Sequence, residues 1–214
     1  MNTTRFCLIR HGETAWNVER RLQGMTNTPL NIRGKAQALQ LAQAMKISDL
    51  QFHALYTSDL QRAADTANAI VNLFNVDAIP HQGLRERHFG ALQGLTVVEA
   101  PDQQPQVWEA HLARDIDHDL NGGESISQFA KRVQDTLEQI RQANLGKTIL
   151  LVSHGGVLDM AHRLARREAL NAKRAASVPN ASFNWLIHDG SGWEVGQWAD
   201  TRHLEHVSLE NIDL

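Results

Sequence analysis

The sequence predicts an α/β protein, a three-layer sandwich in which helices flank both faces of a mostly parallel central sheet. Short apolar runs alternate with segments of helical periodicity, and this alternation is typical of parallel strands joined by crossover helices. The run "TILLVS" (148–153) is apolar almost throughout, as expected for a strand buried on both faces. Near the end of the chain, two β-rich runs instead flank the turn "DGSG", which predicts a hairpin that adds an antiparallel edge.

The first third of the chain contains three predicted strands and two predicted helices. The strands are "RFCLI" (5–9), "ALYTS" (54–58) and "VDAIP" (76–80). A helix is expected over 31–46 with Asn31 as its N-cap, and another within 59–74 with Asp59 as its N-cap. Both residue types favour this position because their side chains accept a hydrogen bond from a free N–H group of the first helical turn.

The rest of the chain forms one domain with the first part, so that a single domain spans residues 1–214, with a small irregular insert at about 88–122. Within the insert we expect turns and one or two short helices. Ser125 and Gln128 form a capping-box pattern that begins a helix over 125–140. The strand 148–153 and a helix over 157–169 follow, and "FNWLIH" (183–188) and "WEVGQW" (193–198) form the terminal hairpin.

Charge and cysteine content limit the possible partners and compartment. The formal net charge is −3, and Lys and Arg are spread along the chain, which argues against a nucleic-acid or membrane surface. The single cysteine, Cys7, lies in an apolar run and cannot form an internal disulfide, which is typical of a reducing compartment. Because we find neither a long apolar signal core nor a run of membrane-spanning length, we expect a cytoplasmic protein.

Polar side chains that can take part in catalysis or ligand binding follow the predicted strands. Parallel sheets bind ligands beyond the carboxyl ends of their strands, so residues at these positions converge on one edge. The residues that follow the strands are Arg10, His11, Arg62, Arg85, Glu86, Arg87, His154 and Gly155. The sequence therefore predicts a site that contains two histidines, several arginines and one carboxylate.

This set of residues suits phosphoryl transfer. Guanidinium groups bind phosphate through paired hydrogen bonds, and their charge lowers the pKa of a neighbouring histidine. A neutral His11 is a competent nucleophile, and His154 is placed to donate a hydrogen bond to phosphoryl oxygens. Glu86 is the candidate general acid, because the negative charge of a bound phosphate favours its protonated form. Glycines 12, 155 and 156 are expected to let backbone N–H groups approach the oxyanion, and the scheme requires no metal and no cofactor.

Six motifs, in order along nearly the whole chain, resemble the histidine phosphatase superfamily, which includes the cofactor-dependent phosphoglycerate mutases. They are "LIRHGETAWN" (8–17), "YTSDLQRAADTA" (56–67), "LRERHFGALQG" (84–94), "GGES" (122–125), "LVSHGGVL" (151–158) and "PNASFNWL" (179–186). The resemblance implies a phosphoglycerate mutase-like fold. It also implies that His11 is the phosphorylated nucleophile, that Arg10, Arg62 and His154 form the phosphate pocket, and that Glu86 is the proton donor.

The same resemblance assigns four further positions. Asn17 and the backbone of Gly155 would be additional phosphate contacts, whereas Gln23 and Gly24 would line the substrate side of the site. The implied partner is a small phosphorylated metabolite. Sugar phosphates, phosphoglycerates and nucleoside-type phosphates all remain open as substrates.

Three functional alternatives follow from the resemblance. Phosphoglycerate mutases of the family carry a longer insert after the "LQG" segment, with a lysine and two adjacent arginines. Here the stretch 95–121 contains no lysine and one isolated arginine, Arg114, which favours a phosphatase. A non-catalytic phosphate-binding module is ranked last, because such a protein would be expected to lose the nucleophile or the acid.

Two further points are left open by the sequence. Arg20, Arg21 and Arg87 either meet a second anionic group of the substrate or are solvated. The oligomeric state is not determined, although the terminal hairpin offers an edge through which a homodimer could form.

Overall fold

A six-stranded sheet forms the centre of the computed structural model, which describes residues 3–204. Its strands are β1 (Thr4–Arg10), β2 (Ala54–Thr57), β3 (Ala78–Pro80), β4 (Thr148–Ser153), β5 (Phe183–His188) and β6 (Trp193–Val195). The sheet order is β3-β2-β4-β1-β5-β6. The pairs on the β3 side are parallel, whereas β1–β5 and β5–β6 are antiparallel. The predicted mostly parallel sheet with an antiparallel hairpin at one edge is confirmed.

Helices cover both faces of the sheet. The α-helices of the described chain are α1 (Ala15–Val18), α2 (Ile32–Ile47), α3 (Gln61–Phe74), α4 (Glu99–Gln103), α5 (Pro105–Leu112), α6 (Ile126–Ala143) and α7 (Gly155–Arg166). Alternate residues of β1 point to opposite layers, as strand geometry requires. Phe6 and Leu8 pack with α6 and α7, whereas Cys7 and Ile9 pack with α2 and α3. This arrangement confirms the three-layer sandwich.

Side-chain caps determine where two of the predicted helices begin. The Asn31 side chain accepts the N–H of Gly34 at the start of α2. At the start of α6, the Ser125 hydroxyl accepts the N–H of Gln128, and the Gln128 carboxamide accepts the N–H of Ser125. Both predicted caps are confirmed, because each side chain satisfies N–H groups that have no partner within the helix.

The predicted N-cap of α3 is wrong. Leu60 occupies the N-cap position and provides no side-chain cap. Asp59 instead accepts two hydrogen bonds from Arg85, at 2.6 and 2.5 Å, and these contacts lower the pKa of its carboxyl group. A paired, charge-assisted contact of this kind is stronger than a bond from a neutral backbone N–H, so it outcompetes the cap.

Helix α7 begins two residues earlier and ends three residues earlier than predicted. The glycine pair after β4 is already helical, so His154 is the N-cap and Gly155 is the first residue of the helix. At the other end, Arg167 adopts a left-handed backbone with φ 56°, a conformation that terminates a helix. The N-terminus of α7 therefore lies directly at the carboxyl end of β4.

The insert forms a small apolar cluster of its own. It contains a 3₁₀ turn at Gly90–Leu92 and the helices α4 and α5. Its buried core consists of Leu92, Ala100, Val107, Trp108 and Leu120, joined by Leu22 from the segment after α1. This contact holds the insert against the loop that follows the first strand.

Two features of the structure concern the predicted compartment. Cys7 is fully buried in β1, and burial strongly raises the pKa of its thiol. Among the helices of residues 3–204, none combines the length and the apolar character needed to span a bilayer. The cytoplasmic location stays a prediction.

Candidate active site

A cavity of about 530 Å³ opens where β1 ends, at the carboxyl edge of the parallel strands. Seven of the nine residues selected from the sequence line it: Arg10, His11, Asn17, Gln23, Gly24, Arg62 and Glu86. His154 is fully buried directly beside His11, with ring centroids 5.2 Å apart. Gly155, also buried, begins α7 next to His154.

Local contacts determine the protonation of His11. Its Nδ1 lies 2.7 Å from the carbonyl oxygen of Gly12, which can only accept a hydrogen bond. We therefore assign the proton to Nδ1, which leaves a lone pair on Nε2. Burial lowers the pKa of His11 well below its ordinary value, and the charges of Arg62 and Arg10 lower it further. The imidazole is accordingly neutral, and its Nε2 lone pair accepts a hydrogen bond from Nε of Arg62.

Arg62 is aligned with the lone pair of His11. Its Nε lies 3.3 Å from His11 Nε2, and its terminal nitrogens donate to the carbonyls of Gly24 (2.7 Å) and Thr26 (2.9 Å). Arg10 is held from the opposite end of the chain, because it donates to the carbonyl of Val178 at 2.7 Å. Both arginines are 1% exposed, so their guanidinium groups are fixed beside the histidine before any substrate binds.

His154 is oriented by Ser58, a residue at the carboxyl end of β2. The Ser58 hydroxyl oxygen lies 2.8 Å from His154 Nε2 and also accepts the N–H of Leu60. We assign the hydroxyl hydrogen to the bond with Nε2, which puts the proton of His154 on Nδ1. Nδ1 has no hydrogen-bond partner within residues 3–204. Burial, followed by the charge of Arg62, lowers the pKa of His154 well below its ordinary value.

The Glu86 carboxylate is held by two backbone N–H groups. Oε1 accepts the N–H of Arg87 at 2.8 Å, and Oε2 accepts the N–H of Gly156 in the first turn of α7 at 2.9 Å. The lack of a side chain at Gly156 makes this position of the carboxylate possible, because a Cβ atom there would overlap it. The side chain is almost fully buried at the cavity wall.

A family model described as histidine phosphatase superfamily (branch 1) matches residues 6–201. The chain belongs to this superfamily. It is 37% identical to a metal-independent phosphoserine phosphatase of Arabidopsis thaliana, over 96% of this chain and 85% of that protein. It is 33% identical to a probable phosphoglycerate mutase, GpmB, of Shigella boydii, over 96% of this chain and 97% of that protein.

A solved structure of high similarity comes from the same superfamily. It is a mutant phosphoserine phosphatase of Entamoeba histolytica in complex with phosphoserine, with a TM-score of 0.84 and 27% identity. The match covers 94% of this chain and 100% of that chain. The comparisons confirm the predicted family and phosphoglycerate mutase-like fold, and they confirm the prediction of a phosphoric monoester hydrolase.

The remaining selected residues of this histidine phosphatase partly serve the local structure. The carboxamide oxygen of Asn17 accepts the N–H of Thr14 in the capping box of α1, so its NH₂ group is the part that can donate to a ligand. The carboxamide oxygen of Gln23 likewise accepts the hydroxyls of Thr14 (3.1 Å) and Thr28 (2.6 Å). Gly24 contributes the carbonyl that holds Arg62.

The expected contacts of the Gly12 and Gly156 N–H groups with an oxyanion are wrong. The Gly156 N–H donates to Glu86, and the Gly12 N–H also has a partner within the protein. This N–H donates to the Thr66 hydroxyl of α3 at 3.0 Å. Glycine is needed at position 12 for packing, because a Cβ atom there would lie 2.5 Å from the carbonyl oxygen of Gly34 in α2. The close approach of the Gly12 and Gly34 backbones holds the loop after β1 in place.

Sequence reasoning missed several residues that line or support the cavity. Ser58 orients His154 but was not selected from the sequence. Its position at the carboxyl end of a strand was a signal that could have identified it. Asp159 on α7 and Arg174 after it also line the cavity, but they lie in segments with no strand-end signal. Arg85, selected from the sequence, is instead paired with Asp59. Within the described chain, no group of three or more His, Cys, Asp or Glu side chains is arranged to hold a metal ion.

Proposed function

We propose that this protein is a metal-independent phosphatase that hydrolyses small phosphomonoesters through a phosphohistidine on Nε2 of His11. The observation that carries the proposal is the state of His11: neutral, buried, protonated on Nδ1, and with its Nε2 lone pair beside the guanidinium of Arg62. A phosphoryl group that takes over the Arg62 N–H would release that lone pair for attack on phosphorus. Charge-assisted binding and a correctly oriented nucleophile are the main requirements of phosphoryl transfer.

In the first step, Nε2 of His11 forms a bond to phosphorus as the ester P–O bond breaks. The leaving alkoxide takes the proton of the Glu86 carboxyl group and departs as the alcohol. A bound phosphate favours this protonated form of Glu86 through its negative charge. The phosphorylated imidazole is a cation, and its Nδ1–H remains donated to the carbonyl of Gly12, which stabilises the charge.

In the second step, water breaks the N–P bond. The Glu86 carboxylate takes a proton from water as the water oxygen attacks phosphorus, and inorganic phosphate leaves. His11 then regains its Nε2 lone pair, and Glu86 is again the acid. Each turnover thus consumes one water molecule and yields one alcohol and one phosphate.

The other selected residues stabilise the transferring phosphoryl group in this proposal. Arg10 and Arg62 neutralise its charge, and the Nδ1–H of His154 donates to an equatorial oxygen. The N–H of Gly155 belongs to the first turn of α7, where backbone N–H groups lack intrahelical partners and favour anions. The NH₂ group of Asn17 is a further donor, whereas Gln23 and Gly24 face the leaving group.

The choice of phosphatase over mutase is supported by the insert. A mutase must retain its substrate and exclude water from the phosphoenzyme. The insert provides the cavity with Phe89, Val97, His111, Leu112 and Arg114, so Arg114 is its single cationic contribution. One relative is named as a probable phosphoglycerate mutase. The experiment therefore measures isomerase activity as well as phosphate release.

The decisive experiment measures phosphate release from a panel of phosphomonoesters in EDTA, with wild type, His11→Ala and His53→Ala. His53 is an exposed histidine beside β2 and serves as the matched control. We expect release by wild type and His53→Ala and none by His11→Ala, together with an acid-labile, base-stable phosphoenzyme in the active proteins. Full activity of His11→Ala would overturn the proposal. Interconversion of 3- and 2-phosphoglycerate without phosphate release would establish the mutase instead.

A further inference from the structure

Glu86, the general acid of the proposed mechanism, lies between two 3₁₀ turns, Gln82–Leu84 and Gly90–Leu92. We call residues 83–86 the Glu86 segment. The backbone carbonyls of such an irregular segment have no partners in a sheet ladder or an α-helix, so they have to be paired in another way. The position of the Glu86 carboxylate therefore depends on the groups that hold this segment.

A single guanidinium group, that of Arg132 on α6, pairs three of these carbonyls. It donates to the carbonyls of Gly83 and Arg85, both at 2.9 Å, and to the carbonyl of Glu86 itself at 3.1 Å. Its two remaining N–H groups donate to the carboxylate of Glu124, both at 2.7 Å. A guanidinium group has five N–H donors, and here each of the five has an acceptor.

Glu124 is itself held firmly by the backbone around it. Its Oε2 also accepts the N–H of His88 at 3.0 Å, and its own N–H donates to the carbonyl of His88 at 2.9 Å. Arg87 donates to the carbonyl of Glu124 at 2.8 Å. Burial acts to raise the pKa of Glu124, but the contacts with Arg132 and His88 outweigh it and hold that pKa below its ordinary value. Glu124 is therefore ionised at neutral pH and forms an ion pair with Arg132.

Packing restricts the Arg132 side chain as well. Its Cζ lies 5.0 Å from the ring centroid of Phe129, a core residue that is 2% exposed. The side chains of Arg132 and Glu124 are 21% and 19% exposed, so solvent screens this ion pair less than a pair at the surface. The two parallel bonds to the carboxylate also determine the direction of the guanidinium plane. Arg132 is therefore a fixed point of α6 to which the Glu86 segment is attached.

Different helices thus hold the backbone of Glu86 and its carboxylate. Helix α6 holds the backbone through Arg132, whereas α7 holds Oε2 through the N–H of Gly156 at 2.9 Å. The carboxylate can reach Gly156 and the cavity only from a backbone that stays in place. In catalysis, a misplacement of about 1 Å can lower the rate by about 100-fold, even where the altered residue lies far from the reacting atoms.

We propose that Arg132 is a positioning residue for proton transfer, and that it acts with Glu124 by fixing the backbone from which the Glu86 carboxyl group reaches the leaving group. The inference rests on the proposed function, in which Glu86 is the general acid. Arg132 touches neither the substrate nor the reacting atoms in that scheme, so it affects the reaction only through Glu86. Its replacement should therefore harm substrates whose leaving group needs a proton and spare those whose leaving group does not.

The variants change the number of donors at position 132. Arg132→Lys keeps the cation beside Glu124 but has three N–H donors in place of five, so it cannot pair all of the acceptors. Arg132→Met removes the donors entirely. The matched controls are Arg141→Lys and Arg141→Met, because Arg141 forms the same two-bond contact with a carboxylate, that of Glu138, at 2.8 and 2.7 Å. Arg141 lies nine residues further along α6 than Arg132, a rise of about 13.5 Å.

Kinetics with two substrates separate positioning from a general loss of structure. With glycerol 3-phosphate, an alkyl phosphate, Arg132→Lys should lower kcat/KM by about 10- to 100-fold. With p-nitrophenyl phosphate, whose leaving group needs no proton, the loss should be less than about threefold. Arg132→Met should show the same difference with a larger loss, and both Arg141 variants should behave as wild type. Equal losses on the two substrates would overturn the proposal.

A double-mutant cycle tests whether Arg132 acts through Glu86. In the Glu86→Gln protein, Arg132→Lys should lower kcat/KM for glycerol 3-phosphate by less than about a further twofold, because both changes remove the same proton transfer. Losses that multiply in full would contradict the proposal, since Arg132 would then act on the reaction by another route.

Hydrogen exchange tests the position of the carboxylate without turnover. The Gly156 amide is the reporter, because it donates to Oε2 of Glu86 from α7. In Arg132→Lys this amide should exchange at least about tenfold faster than in wild type, as expected for a weakened hydrogen bond, whereas Arg141→Lys should leave it unchanged. Unchanged exchange in Arg132→Lys would contradict the positioning role whatever the activity. Failure of the proposed function differs, because Glu86→Gln would then affect both substrates alike, while the exchange rate still decides whether Arg132 positions the carboxylate.

Discussion

At the scale of single residues, both buried histidines are protonated on Nδ1, but different partners enforce this state. The Gly12 carbonyl holds the proton on His11, whereas for His154 we assign the Ser58 hydroxyl as the donor to Nε2, which puts the ring proton on Nδ1. As a result, His11 presents a lone pair and His154 presents a donor. In the proposed mechanism, one hydroxyl group therefore distinguishes the nucleophile His11 from the hydrogen-bond donor His154.

Replacement of Ser58 tests this assignment. In Ser58→Ala, Nε2 of His154 loses its donor, and the ring can adopt the tautomer with no proton on Nδ1. We expect kcat to fall by about tenfold or more, which corresponds to the loss of one hydrogen bond in the transition state. Nitrogen NMR shifts of His154 should report the mixed tautomer, and an unchanged spectrum with unchanged kcat would refute the assignment.

Substrates whose leaving groups differ in their need for a proton test the proposed role of Glu86 as general acid. With alkyl phosphates, Glu86→Gln should lose about 10²- to 10⁴-fold in kcat, because the alkoxide leaves without a proton. With p-nitrophenyl phosphate, the leaving group needs no proton, so the phosphoenzyme should form in a burst and then hydrolyse slowly. Stopped-flow measurement of nitrophenol release checks this expectation. Equal losses for both substrate types, without a burst, would argue against general acid catalysis.

At the scale of secondary structure, the contact between α7 and Glu86 depends on the lack of a side chain at Gly156. In Gly156→Ala, the added Cβ must displace the carboxylate of Glu86, whereas in Gly192→Ala it meets no atom of the described chain within 4 Å. We expect the first variant to lose most of its activity while circular dichroism shows a retained fold. The second should keep both. Full activity of Gly156→Ala would show that the carboxylate position is not critical.

Most elements were predictable because their signals are local. The apolar run of β4 and the caps Asn31 and Ser125 specify their own structure, so strands and most helix limits follow from the sequence. The short helix α1 was missed because it has four residues and no buried face. The wrong cap at Asp59 arose from a contact with Arg85, which lies far along the chain and leaves no local signal.

The candidate site was predictable to a similar extent. Strand ends and family motifs identified the residues around His11, because sheet topology brings strand ends together. Asp159 and Arg174 could not be found in this way, since they meet the insert through helix packing and loop geometry. The orientation of Arg62 by the carbonyls of Gly24 and Thr26 also involves backbone groups, which carry no sequence signal.

At the scale of the whole molecule, the buried neutral histidines make stability depend on pH. The pKa of His111 is about 4 in the folded protein and about 6.5 when unfolded, so the unfolded chain binds more protons between these values. The free energy of unfolding therefore falls as the pH drops below about 6.5. For His111 alone, the loss at pH 4.5 is about 2.5 kcal/mol.

The variant His111→Gln isolates this contribution, because glutamine has no ionisable group. Urea unfolding at pH 7.5 and pH 4.5 should show that the variant loses about 2.5 kcal/mol less than wild type over this interval. Other titrating groups affect both proteins alike and cancel in the comparison. Identical losses in the two proteins would mean that His111 is protonated in the folded state.

The position of β1 in the sheet also has a consequence for biosynthesis. Arg5 is paired with Thr148 and Cys7 with Trp185, so β1 lies between two strands that are synthesised well after it. Closing loops of this length is entropically costly, and folds dominated by such distant pairings form slowly. Until β4 and β5 have been translated, the nascent chain carries His11 as an ordinary solvated imidazole. The proposed nucleophile therefore becomes buried and neutral only after both neighbouring strands of β1 have been synthesised.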